Sequence, residues 1–151
     1  MSLETILEDI GFSSAEAIFL SRHEYFKHKR KTKEELEDLF HNITTIYECS
    51  DDVIKKAVLK HPQFAGYDHH RVITEAAAEY GDADAVKKAV LKFPPFAGLD
   101  HQRVVEEATA VYGNEEAVKK AVLKHPQFAG YDHHRVLRQK TKLGRMAGLE
   151  R

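Results

Sequence analysis

Lysines recur along the chain in pairs four residues apart: Lys56 and Lys60, Lys88 and Lys92, Lys120 and Lys124. Residues four apart share one face of a helix, so each pair predicts two neighbouring ammonium groups. A column of cations at a regular rise suits a phosphate backbone, where affinity comes from cation contacts and counterion release. Arg71, Arg103 and Arg135 recur in step and extend the candidate set. Two basic stretches flank it. Residues 22–33 hold six basic side chains, Lys29, Arg30 and Lys31 among them, against Glu24. Residues 135–151 hold six, with Arg138, Lys140 and Lys142, against Glu150. The whole chain carries 23 basic and 24 acidic residues, net −1, so the segment between the basic ends is acidic. The plain alternative is that the lysines form a solvated face, which amphipathic helices ordinarily carry. A duplicated unit also copies every residue, useful or not.

Ten histidines are many for this length, and seven recur in step: His61, His69, His70, His101, His125, His133 and His134. Adjacent His69 and His70 point about 100° apart on a helix and chelate one metal poorly. No H-x3-H pair is present and Cys49 is the only cysteine, so neither a metal site nor a cofactor is expected. Phe93 stands where the other units have His61 and His125, which predicts a half-buried packing position. Imidazoles on the second helix of each unit are expected to add a pH-dependent contact to an anionic partner. Phosphate-binding glycine loops, a nucleophile elbow and H-E-x-x-H are all missing. The carboxylates cluster where they serve helix dipoles, and an enzyme is not expected.

These residues are positioned by a repeat. Residues 55–72 read KKAVLKHPQFAGYDHHRV, and the same letters return at 119–136. Between them, 87–104 read KKAVLKFPPFAGLDHQRV, so the period is 32. A period in this range is the signature of a solenoid. The natural frame is 50–81, 82–113 and 114–145, with 1–49 as a degenerate capping repeat and 146–151 as a tail. Each unit reads as two helices. Ser50, Asp82 and Asn114 are N-caps followed by acids. Val86, Ala89, Val90 and Phe93 make an apolar stripe that Pro94 and Pro95 end. Gly98 is expected to need positive φ in the connection. Asp100 caps a second helix with Val104, Val105, Ala108, Val111 and Tyr112 inward, and Gly113 closes it. In the first unit, His23-Glu24-Tyr25-Phe26 matches His125-Pro126-Gln127-Phe128 at the His and the Phe. Leu36, Leu39, Phe40, Ile43 and Tyr47 make its second helix. The expected fold is all-α: a right-handed α-solenoid forming one domain over 1–151.

The composition, 42% hydrophobic and 31% charged, supports a core and excludes a disordered tail. One cysteine excludes an internal disulfide framework. No apolar run approaches the roughly 18 residues of a membrane span. Residues 1–20 carry four acids and no Lys or Arg, unlike a secretory or transit signal. The expectation is a soluble intracellular protein with no membrane partner.

The rhythm V-x-x-A-V-L-K-x-P-x-F-A-G-x-D, then a second helix, then Gly, resembles the mitochondrial transcription termination factor family. Leu59, Pro62 and Phe64 match its helix-ending Pro and apolar pair, as do Leu91, Pro94 and Phe96, and Leu123, Pro126 and Phe128. Leu7 to Gly11 with Ser13, and Leu143 to Leu149, match its Leu–Gly–Ser beat. The resemblance implies a curved α-solenoid that binds double-stranded DNA or structured RNA, in transcription or ribosome assembly. The units also resemble transcription activator-like effector repeats, whose base-reading loop would fall at Ala78-Glu79 and Ala110-Val111. The expected partner is therefore nucleic acid, DNA or RNA. The rival classes are a protein-binding solenoid, as in tetratricopeptide or ankyrin arrays, and a duplication product with no dedicated ligand. Open stacking faces would also allow end-to-end self-association.

Overall fold

A computed structural model describes residues 2–27 and 31–131. Every regular element among them is helical, so the chain is all-α. The α-helices are α1 (Leu3–Asp9), α2 (Ser14–Arg22), α3 (Glu24–Lys27), α4 (Lys33–Tyr47), α5 (Asp51–Lys60), α6 (His69–Tyr80), α7 (Ala83–Lys92), α8 (His101–Tyr112) and α9 (Glu115–Lys124). Short 3-10 helices at Pro62–Gly66, Pro94–Gly98 and Pro126–Gly130 follow α5, α7 and α9.

Local chemistry places the boundaries. Ser13 and Thr32 open α2 and α4 with reciprocal capping boxes to Glu16 and Glu35. Asp82 and Asn114 accept from the N–H of Ala85 and Ala117, each at 3.0 Å. Asp68 and Asp100 do the same for Arg71 and Arg103. Such caps each contribute about 1 kcal/mol. Ser50 holds the cap position of α5 without a side-chain bond. Gly81 and Gly113 end α6 and α8 at φ +80, as the sequence anticipates for Gly113. Glu48 takes the same place after α4 at φ 54, a left-handed conformation that disfavours a residue with Cβ.

Packing is in rows. The first helices α5, α7 and α9 touch in succession, and so do the second helices α4, α6 and α8. The 3-10 helices touch in turn, and α3 packs on the first of them. Phe26 on α3, and Phe64 and Phe96 on the first two 3-10 helices, are all fully buried. The predicted stripes face inward: Val86, Ala89 and Val90 on α7, Val105 and Ala108 on α8, and Leu36, Phe40, Ile43 and Tyr47 on α4 are buried, while Leu39, Phe93, Val104, Val111 and Tyr112 are half-buried. Helix α1, packed on α2, has no counterpart in the expected units.

Two expectations need correction. Each unit has a third helical element, because proline ends α5, α7 and α9 yet suits the first turn of the 3-10 helix that follows. Gly98 does not adopt positive φ. It is required because the chain passes against a ring: a Cβ there would lie 2.5 Å from the Tyr67 hydroxyl. At Gly66 a Cβ would run into the Tyr25 ring, whereas at Gly130 it would meet none of the described residues within 4 Å. Leu99, one unit before Tyr131, replaces the tyrosine that would reach Gly130. Gly66→Ala is therefore expected to destabilise by about 1–3 kcal/mol through overpacking. Gly98→Ala should cost less, since only the tip of Tyr67 must move. Gly130→Ala should be neutral or stabilise by about 0.4–1 kcal/mol, through reduced freedom of the unfolded chain. Urea unfolding of the three variants checks that order.

Candidate nucleic-acid interface

The first-helix row carries the candidate lysines. Helices α5, α7 and α9 hold nine lysines against five carboxylates. Helices α4, α6 and α8 hold three basic residues against eight carboxylates. The two rows therefore differ in sign, which a net charge of −1 conceals.

Each Lys-Lys doublet divides its work. The first lysine of each doublet, Lys55, Lys87 or Lys119, is half-buried. The ammonium of Lys55 sits 6.0 Å from the centroid of Phe12, Lys87 is 3.8 Å from Glu48, and Lys119 is 2.9 Å from Glu115. The second lysine of each doublet, Lys56, Lys88 or Lys120, is exposed. So are Lys60, Lys92 and Lys124 in the last turn, where a cation also complements the helix dipole. Among the described residues, none of these six ammonium groups forms an ion pair. Lys92 donates to the backbone carbonyl of Lys124 at 3.3 Å, which ties one member of the column to the next unit.

The arginines lie on the other row. Arg71 Nε donates to Glu75 and Arg103 Nε to Glu107, each at 2.8 Å within its own helix. Their guanidinium charge is thus partly answered before any partner arrives. Lys31 is half-buried ahead of α4. The remaining candidates, Lys29, Arg30, Arg135, Arg138, Lys140 and Lys142, lie outside the described residues, as do His133 and His134. The structure thus groups six lysines on one row and sets Arg71 and Arg103 apart from them.

The histidine expectation changes. His69 and His101 are 3% and 7% exposed, so they have little surface to offer an anionic partner. Burial holds both below the usual imidazole range, partly offset by hydrogen bonds to the carbonyls of Phe64 and Phe96 and by Asp68 and Asp100. The reason is geometric: each is the first residue after its capping Asp and turns inward. His70 is exposed. His61 and Phe93 are half-buried, as expected, while His125 is exposed. Missed in the sequence were Tyr47 and Tyr80, whose hydroxyls meet these histidines. The signal was there: a tyrosine ends each second helix, and 21 or 22 residues later comes a histidine after Asp.

A groove of about 780 Å³ opens between the length of α6 and the start of α8. Asp68, Glu75, Glu79 and Asp100 line it against Arg71 alone, with Tyr67 and Leu99 as its apolar wall. Ala78-Glu79 and Ala110-Val111 lie within α6 and α8, not in loops. Among the described residues no helix is long and apolar enough to cross a membrane. Among them, no three His, Cys, Asp or Glu side chains are grouped to hold a metal.

Comparison of the chain with protein families, with curated proteins and with solved structures gives no match in any of the three.

Proposed function

We propose that the chain is a right-handed α-solenoid of 32-residue units, capped by residues 1–49, that binds nucleic acid along its first-helix row. The observation that carries this reading is the recurrence of six exposed lysines with no carboxylate partner among the described residues. A phosphate backbone supplies what they lack. Lysine acts as a point charge, so it positions a phosphate without reading a base, and sequence preference is modest. The reading needs no catalytic group and no cofactor. A role in transcription or ribosome assembly follows from the family resemblance alone.

Titration of labelled duplex DNA, single-stranded DNA and structured RNA by fluorescence anisotropy tests it. Binding should weaken linearly in log–log salt, with a slope of about 0.9 per phosphate contact on duplex. No binding to any of the three at low salt rules the reading out. The second reading is a protein-binding solenoid, favoured by the carboxylate-lined groove between α6 and α8. It takes a partner segment bearing Lys or Arg, and its binding would survive loss of the lysine row.

A further inference from the structure

We propose that His69 and His101 are acid-sensitive latches between successive units, closed while the imidazole is neutral and released when it is protonated. Each sits at the meeting of three elements. His69 begins α6 and His101 begins α8. Tyr47, the last residue of α4, places its hydroxyl 2.5 Å from Nδ1 of His69. Tyr80, the last residue of α6, places its hydroxyl 2.8 Å from Nδ1 of His101. On the other side of each ring, Nε2 lies 2.7 Å from the Phe64 carbonyl and 2.8 Å from that of Phe96. A carbonyl only accepts, so Nε2 carries the hydrogen. Nδ1 of the neutral ring then accepts from the phenol. The same bond set is thus built twice, and each set joins one second helix to the 3-10 helix and second helix that follow.

Protonation breaks this arrangement at Nδ1. The new N–H meets the phenol oxygen, and the phenol must turn its own hydrogen elsewhere. Aromatic rings wall the site: Phe64 is 5.9 Å from Tyr47 and 4.4 Å from His69, and Phe96 is 6.0 Å from Tyr80 and 4.1 Å from His101, centroid to centroid. An unmet donor and a buried positive charge are both costly there. His101 also lines the groove that Asp68, Arg71, Glu75 and Glu79 line from the α6 side. Asp68 and Asp100 precede the histidines, but their carboxylates bond the N–H of Arg71 and Arg103 at the helix starts. Cys49 adjoins Tyr47 from the end of α4, and Glu79 adjoins Tyr80 on α6. Tyr67, bonded to His61, faces His69 from the connection.

Burial lowers both imidazoles from 6.5, in agreement with this geometry. The sign follows. Well above pH 6.5 neither the folded nor the unfolded chain binds the proton. As pH falls below it, the unfolded chain takes up protons that the folded chain refuses, and stability is lost until the folded value is reached.

The experiment compares the full chain with His69→Gln/His101→Gln. Glutamine donates to the carbonyl and accepts from the phenol without titrating. Between about pH 6 and 5, the folding equilibrium constant of the unsubstituted chain should fall up to about 10-fold per pH unit for each of the two histidines. That component should vanish in the double variant. Equal pH slopes for the two proteins overturn the proposal. Should the variant not fold at neutral pH, imidazole ¹⁵N spectra of the unsubstituted chain decide. An Nε2–H tautomer at both histidines that persists below pH 6 sustains the latch. Protonation near 6.5 within the intact fold overturns it.

Discussion

Phe96→Ala lowers folding stability by about 3–5 kcal/mol, the range for an aromatic side chain removed from a core. The effect should be among the largest of any single change in this chain. Phe96 is fully buried between Tyr80 and His101, and it belongs to the second 3-10 helix, which contacts α6 as well as α7. Truncation leaves a cavity and also loosens the segment whose carbonyl receives His101 Nε2. Phe64→Ala should cost a similar amount, because Tyr47 and His69 surround it in the same way. Phe128→Ala should cost less, since Phe128 is only half-buried. Against a total of about 5–15 kcal/mol for an ordinary domain, either of the first two changes leaves little margin. Urea midpoints at constant slope measure the differences. Equal losses at Phe64, Phe96 and Phe128 would show that burial in the 3-10 row does not set the cost.

Most of the helical framework was legible because its signals are local. Caps at Asp82, Asn114 and Asp100, the stripe Val86–Ala89–Val90 and the stop at Pro94 all act within a few residues. What was not legible depends on residues brought together from neighbouring units. The need for glycine at Gly98 comes from Tyr67, a unit earlier, and no local rule reads a ring that approaches from elsewhere. The inward turn of His69 and His101 depends on Tyr47 and Tyr80 in the preceding second helix. Taken alone, a histidine beside Asp at a helix start reads as a surface residue. The candidate interface was legible in part. The spacing of Lys56 and Lys60 places both on one outward face, and both are exposed. It does not reveal that Lys55, Lys87 and Lys119 lie against the surface, or that Glu75 and Glu107 engage the arginines.

That division sets up the second large effect. Lys88→Glu with Lys92→Glu should lower duplex affinity about 100-fold at 0.1 M salt, since each lost phosphate contact accounts for nearly 10-fold there. The log–log salt slope should fall by about 1.8. The loss should be the same for every sequence tested, because a lysine on phosphate carries no base information. Arg71→Gln with Arg103→Gln should change affinity by less than about 3-fold, because each guanidinium already has a carboxylate beside it. The lysines are exposed, so the reversal should alter stability modestly: the dipole at the end of α7 and the lost bond from Lys92 to the Lys124 carbonyl together cost about 1–2 kcal/mol. A melting curve taken alongside the titration separates the two effects. Unchanged binding by the lysine variant removes the first-helix row from the interface. A larger loss in the arginine variant moves the duplex contact from the lysine row to Arg71 and Arg103 on the second helices.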